Sequence, residues 1–487
     1  MTSLLQTRRV LPAILALGLF AMGARSLTDP DVWWHLRTGQ LIIQNHRVFH
    51  TDPYSFTRSG QPWVNHEWLS DVLIFGVYRL AGWGGLIVTF AAIIASTLLL
   101  VFLRCPGHRF LAALMTIWGA MASATTWGVR PQMFSLLLAS VFLLILERSD
   151  EHPNLLWWTV PVMLLWVNLH AGYAMGIVLV ALFLIGEVLD VAFGFKEWQR
   201  AAPRLRGLVL VLAACFAVVP LNPNGARLYW YPLRTLHSSS MQSYIDEWLS
   251  PNFHDPKYLP LLVMLLFIMV ALGLSPRRLR PREAVLLLVT MWAALHSVRH
   301  IPIFVLVAVP VLSGLVDWLQ KRDSTPPLEL GKIEPTRRTM LVNAIVLVAF
   351  ASFALARVRS VVDQQAATEN QTFPTAAASF ISLERPPSPM LNYDNWGGYF
   401  IWKLYPEYRV YADGRADLYG DSFLDDFASS YYLNNHWRDP LRSWQIRTVV
   451  LPCDAPLVTG LRSTAGWRQI YTDSQAVVLT LTPVEGR

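Results

Sequence analysis

Apolar residues run in long blocks through most of this chain, many of them about 18–22 residues with almost no charge, the length an α-helix needs to cross roughly 30 Å of hydrocarbon. The blocks fall at about 10–27, 83–103, 110–128, 131–147, 155–169, 172–193, 207–221, 258–274, 283–298, 301–319 and 339–357, which predicts eleven membrane-spanning helices. The first follows Arg8-Arg9 and ends in small residues (Ala21, Gly23, Ala24), as a cleaved signal peptide would, but its length favours a span. The segment 67–80 (EWLSDVLIFGVYRL) differs. It is short and carries Glu67, Asp71 and Arg79, so it reads as an amphipathic helix lying at the membrane interface.

Loop charges orient the spans. With 67–80 left out and the N-terminus cytoplasmic, the loops holding Arg104/Arg109, Lys196/Arg200/Arg204/Arg206, Arg277/Arg278/Arg280/Arg282 and Lys321/Arg322/Arg337/Arg338 all fall on the cytoplasmic side. This divides the chain into a transmembrane domain, 1–359, with a first outer loop at 28–66, and an extracytoplasmic α/β domain, 360–487. In the latter, Pro386-Pro387-Ser388-Pro389 reads as a linker, and MLNYDNWGGYFIWKLYP and YRVYADGRADLYG read as strand-like runs alternating with turns.

Composition agrees. Only 15% of the 487 residues are charged against 54% hydrophobic, which argues against a soluble enzyme. The net charge of +7 hides a split: 360–487 is net negative and the remainder strongly positive, as cytoplasmic loop cations demand. Cys105, Cys215 and Cys453 lie far apart and offer neither metal spacing nor an evident disulfide.

This topology places the polar motifs on the outer face. After the first span comes Asp29-Pro30-Asp31-Val32-Trp33-Trp34-His35-Leu36-Arg37. Two carboxylates at a membrane surface are costly unless they meet a cation, a metal or a reacting proton. The structural alternative is that they cap a helix at 31–44, which needs only one Asp. Asp52-Pro53 is an ordinary turn signal. His66-Glu67 could supply a base or a ligand, or open the interfacial helix; His46, His50 and His66 lack the regular spacing of a zinc site. Later outer loops add Arg130, Asn168, His170, Arg227, Arg299 and His300. Each alone could snorkel to the interface. Together, on the face where positive charge is normally sparse, they point to an anionic lipid headgroup. In the outer domain Asp394, Gly397, Gly398, Asp413, Gly414 and Arg415 read as turn-forming or exposed residues with structural roles.

The stretch DVWWHLRTGQLIIQN, from Asp31, resembles the first outer loop of the GT-C superfamily of membrane glycosyltransferases, in particular oligosaccharyltransferase catalytic subunits, and also the acidic-aromatic-His loop of protein O-mannosyltransferases. The motifs DVWWHL, HEW, NLHAG and DGR are similar to those of a broad group of bacterial GT-C-like membrane proteins. The resemblance implies a polyprenyl-phosphate-linked sugar donor, an acceptor glycan, lipid or protein on the periplasmic face, inversion at the sugar, and a bacterial inner (plasma) membrane. It makes Asp31 the catalytic acid and Asp29 its second carboxylate, with Mg or Mn a candidate at Asp29 and Asp31; Asp52 and Glu67, acids of the same outer face, are further catalytic candidates from the residues themselves. His35, Arg37, His66, Arg130, Asn168, His170, Arg227, Arg299 and His300 would bind the lipid phosphate or sugar. The WWD-type acceptor motif of oligosaccharyltransferases is absent from 360–487, so protein N-glycosylation is not implied.

Such a transfer needs a carboxylate for the acceptor proton and fixed positive charge for the leaving phosphate. A polymerase or ligase acting on polyprenyl-diphosphate glycans fits the same features. A transporter fits less well, because its polar residues collect near the bilayer midplane and its halves repeat. A scaffold with a sensor domain leaves Asp29, Asp31, Asp52 and Glu67 unexplained.

Overall fold

The computed structural model of the protein describes residues 6–275, 277–322 and 336–482. A helix occupies each of the eleven apolar runs: Thr7–Gly23, Trp68–Arg104, Arg109–Ser123, Gln132–Arg148, Thr159–Leu169, Tyr173–Ala192, Trp198–Ala217, Leu259–Leu274, Pro281–His296, Ile301–Arg322 and Arg337–Thr372. Five described helical stretches, which include Trp68–Arg104 and Arg337–Thr372, are long and apolar enough to cross a membrane. The loop after Ile301–Arg322, counted above as cytoplasmic, lies largely outside the described residues.

The helix Trp68–Arg104 is broken at Gly82, whose φ of 58° and ψ of −154° suit only glycine. The break falls where the sequence separates the amphipathic segment 67–80 from the apolar run 83–103.

The chain forms two compact units. The first comprises 1–25, 87–222 and 246–362. In it Arg109–Ser123 packs on Ile301–Arg322, and Pro281–His296 packs on both Ile301–Arg322 and Tyr173–Ala192. Gly119 makes one of these approaches possible, since a Cβ there would come within 2.6 Å of Val309 Cγ2. Large apolar side chains remain uncovered, among them Leu341, Val348, Phe353 and Trp292, an outer surface that suits lipid rather than water. Ion pairs tie these helices together: Arg204 binds the exposed Asp150 at 2.6 Å and the buried Glu187 at 3.3 Å, and Arg282 binds Asp150 at 2.7 Å.

The second unit gathers 26–86, 223–245 and 363–487, so the first outer loop and the amphipathic segment cluster with the C-terminal part of the chain. Its sheet has four strands, β1 (Met390–Asn392), β2 (Thr448–Pro452), β3 (Trp467–Thr472) and β4 (Ala476–Leu481), in the order β1-β2-β4-β3; β1 pairs parallel to β2 and the other pairs are antiparallel. Around it pack Tyr411, Phe423, Leu441, Val449, Leu457 and Leu479. The strand-like reading of GGYFIWKL is corrected. Asp394–Leu404 is a helix, because its glycines let it approach Val32–Asn45 closely: a Cβ on Gly398 would lie 2.4 Å from the Pro30 carbonyl oxygen. Of YRVYA, only Val410 pairs, as an isolated bridge to Ser55.

Candidate functional site

The helix Val32–Asn45 starts at Asp31, and the carboxylate of Asp31 makes no capping bond to it. Asp29 Oδ1 instead accepts the Asp31 backbone N–H at 2.9 Å. Asp31 Oδ1 accepts from Trp34 Nε1 at 3.0 Å and stays half-buried, wedged beside Gly414, where a Cβ would come within 1.9 Å of it. The Asp31 side chain thus makes no cap, and its carboxylate is directed by the Trp34 indole of its own helix and by the close approach of Gly414.

Trp34 also lies against the His35 ring, with centroids 3.6 Å apart. His35 is buried between two acids: Nδ1 is 2.6 Å from Asp71 Oδ1 and Nε2 is 3.5 Å from Glu67 Oε2. Glu67 Oε1 in turn faces His66 Nε2 at 2.7 Å, and His66 Nδ1 faces the Val64 carbonyl at 3.2 Å. Each imidazole therefore meets acceptors at both nitrogens, an arrangement that suits the doubly protonated ring. Burial pulls the His35 pKa down, yet the bond to Asp71 and the charges of Asp71, Glu67 and Asp31 outweigh it and hold the pKa raised. The same contest, against Glu67 and then Asp417, leaves His66 raised. Burial pushes the Asp417 carboxyl up. Asn65 anchors the row, donating to Asp71 Oδ2 at 3.1 Å while Asn224 donates to its carbonyl at 2.8 Å. Tyr231 stacks on His66 at 4.3 Å.

Arg415, 3% exposed, also lies near Trp34. Its Nε and Nη2 each donate to Asp413 at 2.7 Å, and Nη2 is 2.8 Å from Asp52 Oδ1. The guanidinium sits over Trp63 at 4.5 Å, Tyr54 at 5.1 Å and Trp34 at 6.0 Å, while Nη1 has no hydrogen-bond partner among the described residues. Burial works against the charge, but Asp413 and Asp52 more than offset it, and the pKa stands well above the ordinary arginine value. Asp52 also accepts from the backbone of Tyr54 and Ser55 and from the Ser55 hydroxyl. Its lone pairs are thus committed to turn and ion pair. Arg37 is committed as well, donating to Gln40 at 2.9 Å and to the Tyr405 carbonyl at 2.6 Å. Arg227 is exposed.

The remaining sequence candidates belong to the first unit. Arg130 pairs with Glu247 through both terminal nitrogens, and Arg299 Nε approaches the same carboxylate at 4.0 Å. Burial raises the Glu247 carboxyl, but Arg130 and Arg299 hold it below the ordinary range. Asn168 bonds the carbonyls of Leu164 and Leu221. His170 Nδ1 accepts from the Gly172 backbone and meets the Ser135 hydroxyl at 2.7 Å, while His300 is only partly exposed.

No family model and no curated protein matches the sequence. Solved structures do. An oligosaccharyltransferase from Archaeoglobus fulgidus, AglB, in complex with an inhibitory peptide and a dolichol-phosphate, superposes over 98% of this chain and 75% of its own, at a TM-score of 0.56 and 11% identity. The Archaeoglobus fulgidus oligosaccharyltransferase in the apo form matches 92% of this chain and 70% of its own, at 0.53 and 12%. The fold is GT-C-like. ArnT from Cupriavidus metallidurans, bound to undecaprenyl phosphate, overlays more loosely, at 0.49 and 14% identity over 98% of both chains.

Within this GT-C-like fold, four participants escaped the sequence reading: Asp71 and Asn65 beside the histidines, and Asp413 and Arg415 beside Trp34. Asp71 looked like the polar face of an interfacial helix, and Asp413-Gly414-Arg415 like a surface turn. The DGR motif itself was the available signal. Among the described residues no group of three or more His, Cys, Asp or Glu is placed to hold a metal ion. Asp29 and Asp31 alone would leave a divalent ion to complete its shell with water and substrate phosphate, a set that Mg²⁺ accepts and Zn²⁺ does not favour.

Proposed function

We propose that this protein is a membrane glycosyltransferase that moves a sugar from a polyprenyl-phosphate-linked donor to an acceptor on the outer face of a bacterial plasma membrane. The observation that carries this reading is the Asp31 carboxylate, half-exposed, uninvolved in capping and steered by Trp34 and Gly414 in a chain of GT-C-like fold. The AglB structure with dolichol-phosphate supports the donor class.

In this mechanism an acceptor hydroxyl attacks the anomeric carbon from the face opposite the phosphate, with inversion. Asp31 takes the hydroxyl proton as the C–O bond to the lipid phosphate breaks, and the phosphate leaves with the bonding electrons. Asp29 holds the backbone at Asp31. The row Asp71–His35–Glu67–His66 holds two imidazoles whose pKa is raised, and protonation there would favour the ionised, proton-accepting form of Asp31. Asp52 and Asp413 act through Arg415, as positioning residues. A divalent ion at Asp29 and Asp31 would neutralise phosphate charge.

The test is turnover of short-chain polyprenyl-phosphate sugars by the purified full chain, beside Asp31→Asn. Sugar release or transfer that disappears in the variant, with an unchanged melting temperature, supports the reading; equal activity in both overturns the role of Asp31. Activity that survives exhaustive chelation removes the metal. Turnover only with polyprenyl-diphosphate glycans moves the assignment to a polymerase or ligase.

A further inference from the structure

The second unit carries a cavity remote in sequence from Asp31, of about 460 Å³, at the end of the sheet where β2 and β3 begin and β4 ends. Three arginines line it, Arg438, Arg442 and Arg447, together with the half-buried indoles of Trp437 and Trp467. Among the described residues no carboxylate lines the cavity. None of the three guanidiniums has an ion-pair partner among the described residues, unlike Arg415, Arg130, Arg204 and Arg282 elsewhere in the chain.

We infer that this cavity is a binding site for an acidic saccharide, one bearing carboxylate groups. Indole faces pack against the apolar C–H faces of sugar rings, and guanidinium forks take carboxylates in bidentate pairs. All three arginines are exposed. Arg438 lies over Trp437 at 4.2 Å and reaches Thr464 at 3.4 Å. Arg447 is held by its backbone, its N–H on the Pro389 carbonyl and its carbonyl on the Leu481 N–H. The floor is closed: Leu441, Ile446 and Leu461 are buried in the core of the unit. That floor argues against insertion into a lipid surface, which needs apolar side chains standing outward around the basic ones. The unit as a whole is acidic, so three uncompensated arginines in one concavity run against its charge. Such a site would retain an acidic glycan acceptor or product. It rests on the proposed transfer reading only for that purpose; binding itself does not depend on it.

The experiment is calorimetric titration of the full chain in uncharged detergent with oligogalacturonate, with a neutral malto-oligosaccharide of equal length and with inorganic phosphate as controls. Wild type is compared with Arg442→Gln and with Arg442→Gln/Arg447→Gln, whose side chains leave the backbone bonds intact. We expect saturable binding of the oligogalacturonate alone, weakened about tenfold or more in the double variant, in line with the loss of charge-assisted hydrogen bonds. Should the double variant fail to fold, the single variant at exposed Arg442 decides. Equal binding of the neutral sugar overturns the charge recognition. Phosphate that competes as well as the oligosaccharide overturns the saccharide and leaves an adventitious ion only. No binding of the oligogalacturonate at millimolar concentration overturns the site. Donor turnover in the Asp31 experiment is read separately, so failure here and failure of the transferase reading are distinguishable.

Discussion

Asp31 and Gly414 touch so closely that no side chain fits between them: a Cβ on residue 414 would stand 1.9 Å from Asp31 Oδ1. The first outer loop and the DGR turn, at opposite ends of the sequence, thus form one wall. Gly414→Ala must push the Asp31 carboxylate away. Misplacement on the scale of an ångström costs up to about a hundredfold in turnover. We expect Gly414→Ala to lower sugar transfer by about that factor while Asp31→Asn abolishes it, measured by initial rates on the same donor.

Arg415 neutralises Asp52 and Asp413 in a site closed to water. Removing one partner of a buried ion pair leaves an uncompensated charge and costs about 3–5 kcal/mol. Arg415→Gln is therefore expected to lower the melting temperature markedly. Asp52→Asn added to it should restore part of the loss, because one stranded carboxylate is then gone. A double variant no more stable than Arg415→Gln would show that Asp52 is not held by that charge.

His35 gives a pH dependence with a definite sign. Its pKa is raised in the folded chain above the ordinary value of about 6.5. The folded state then binds the extra proton more tightly, so the stabilisation is fully present below about pH 6.5 and is lost as the pH rises through the folded-state value. The melting temperature of wild type should exceed that of His35→Gln most at pH 6, and the gap should narrow toward alkaline pH. A gap that widens with rising pH would mean that the imidazole is buried neutral.

Gly82 occupies a backbone conformation closed to L-residues, so Gly82→Ala is expected to destabilise the protein by about 1–3 kcal/mol although nothing lies within 4 Å of the added methyl. Gly76→Ala, equally uncrowded but without a positive φ, is the control and should be neutral or stabilising. Thermal unfolding of the two variants separates a steric from a conformational cause.

Helix positions were legible in the sequence because an apolar run of membrane length specifies its own structure: every backbone group must be satisfied within the segment, whatever its neighbours. The break before 83–103 was legible for the same reason, through the charges of Glu67, Asp71 and Arg79. The aromatic-acidic start of Val32–Asn45 and its resemblance to GT-C loops were likewise local features, and the superposition bears out the fold. What only the tertiary structure decided is which charge meets which. Asp71 and His35 share no local pattern, Asp52 and Arg415 stand far apart in the chain, and a short apolar run such as YFIWKL reads equally as strand or helix until Gly397 and Gly398 meet Ala412 and Pro30. Ion pairs are made by packing across long sequence separations. A single sequence names the charged residues, but their partners, and therefore their protonation and their roles, follow from the fold.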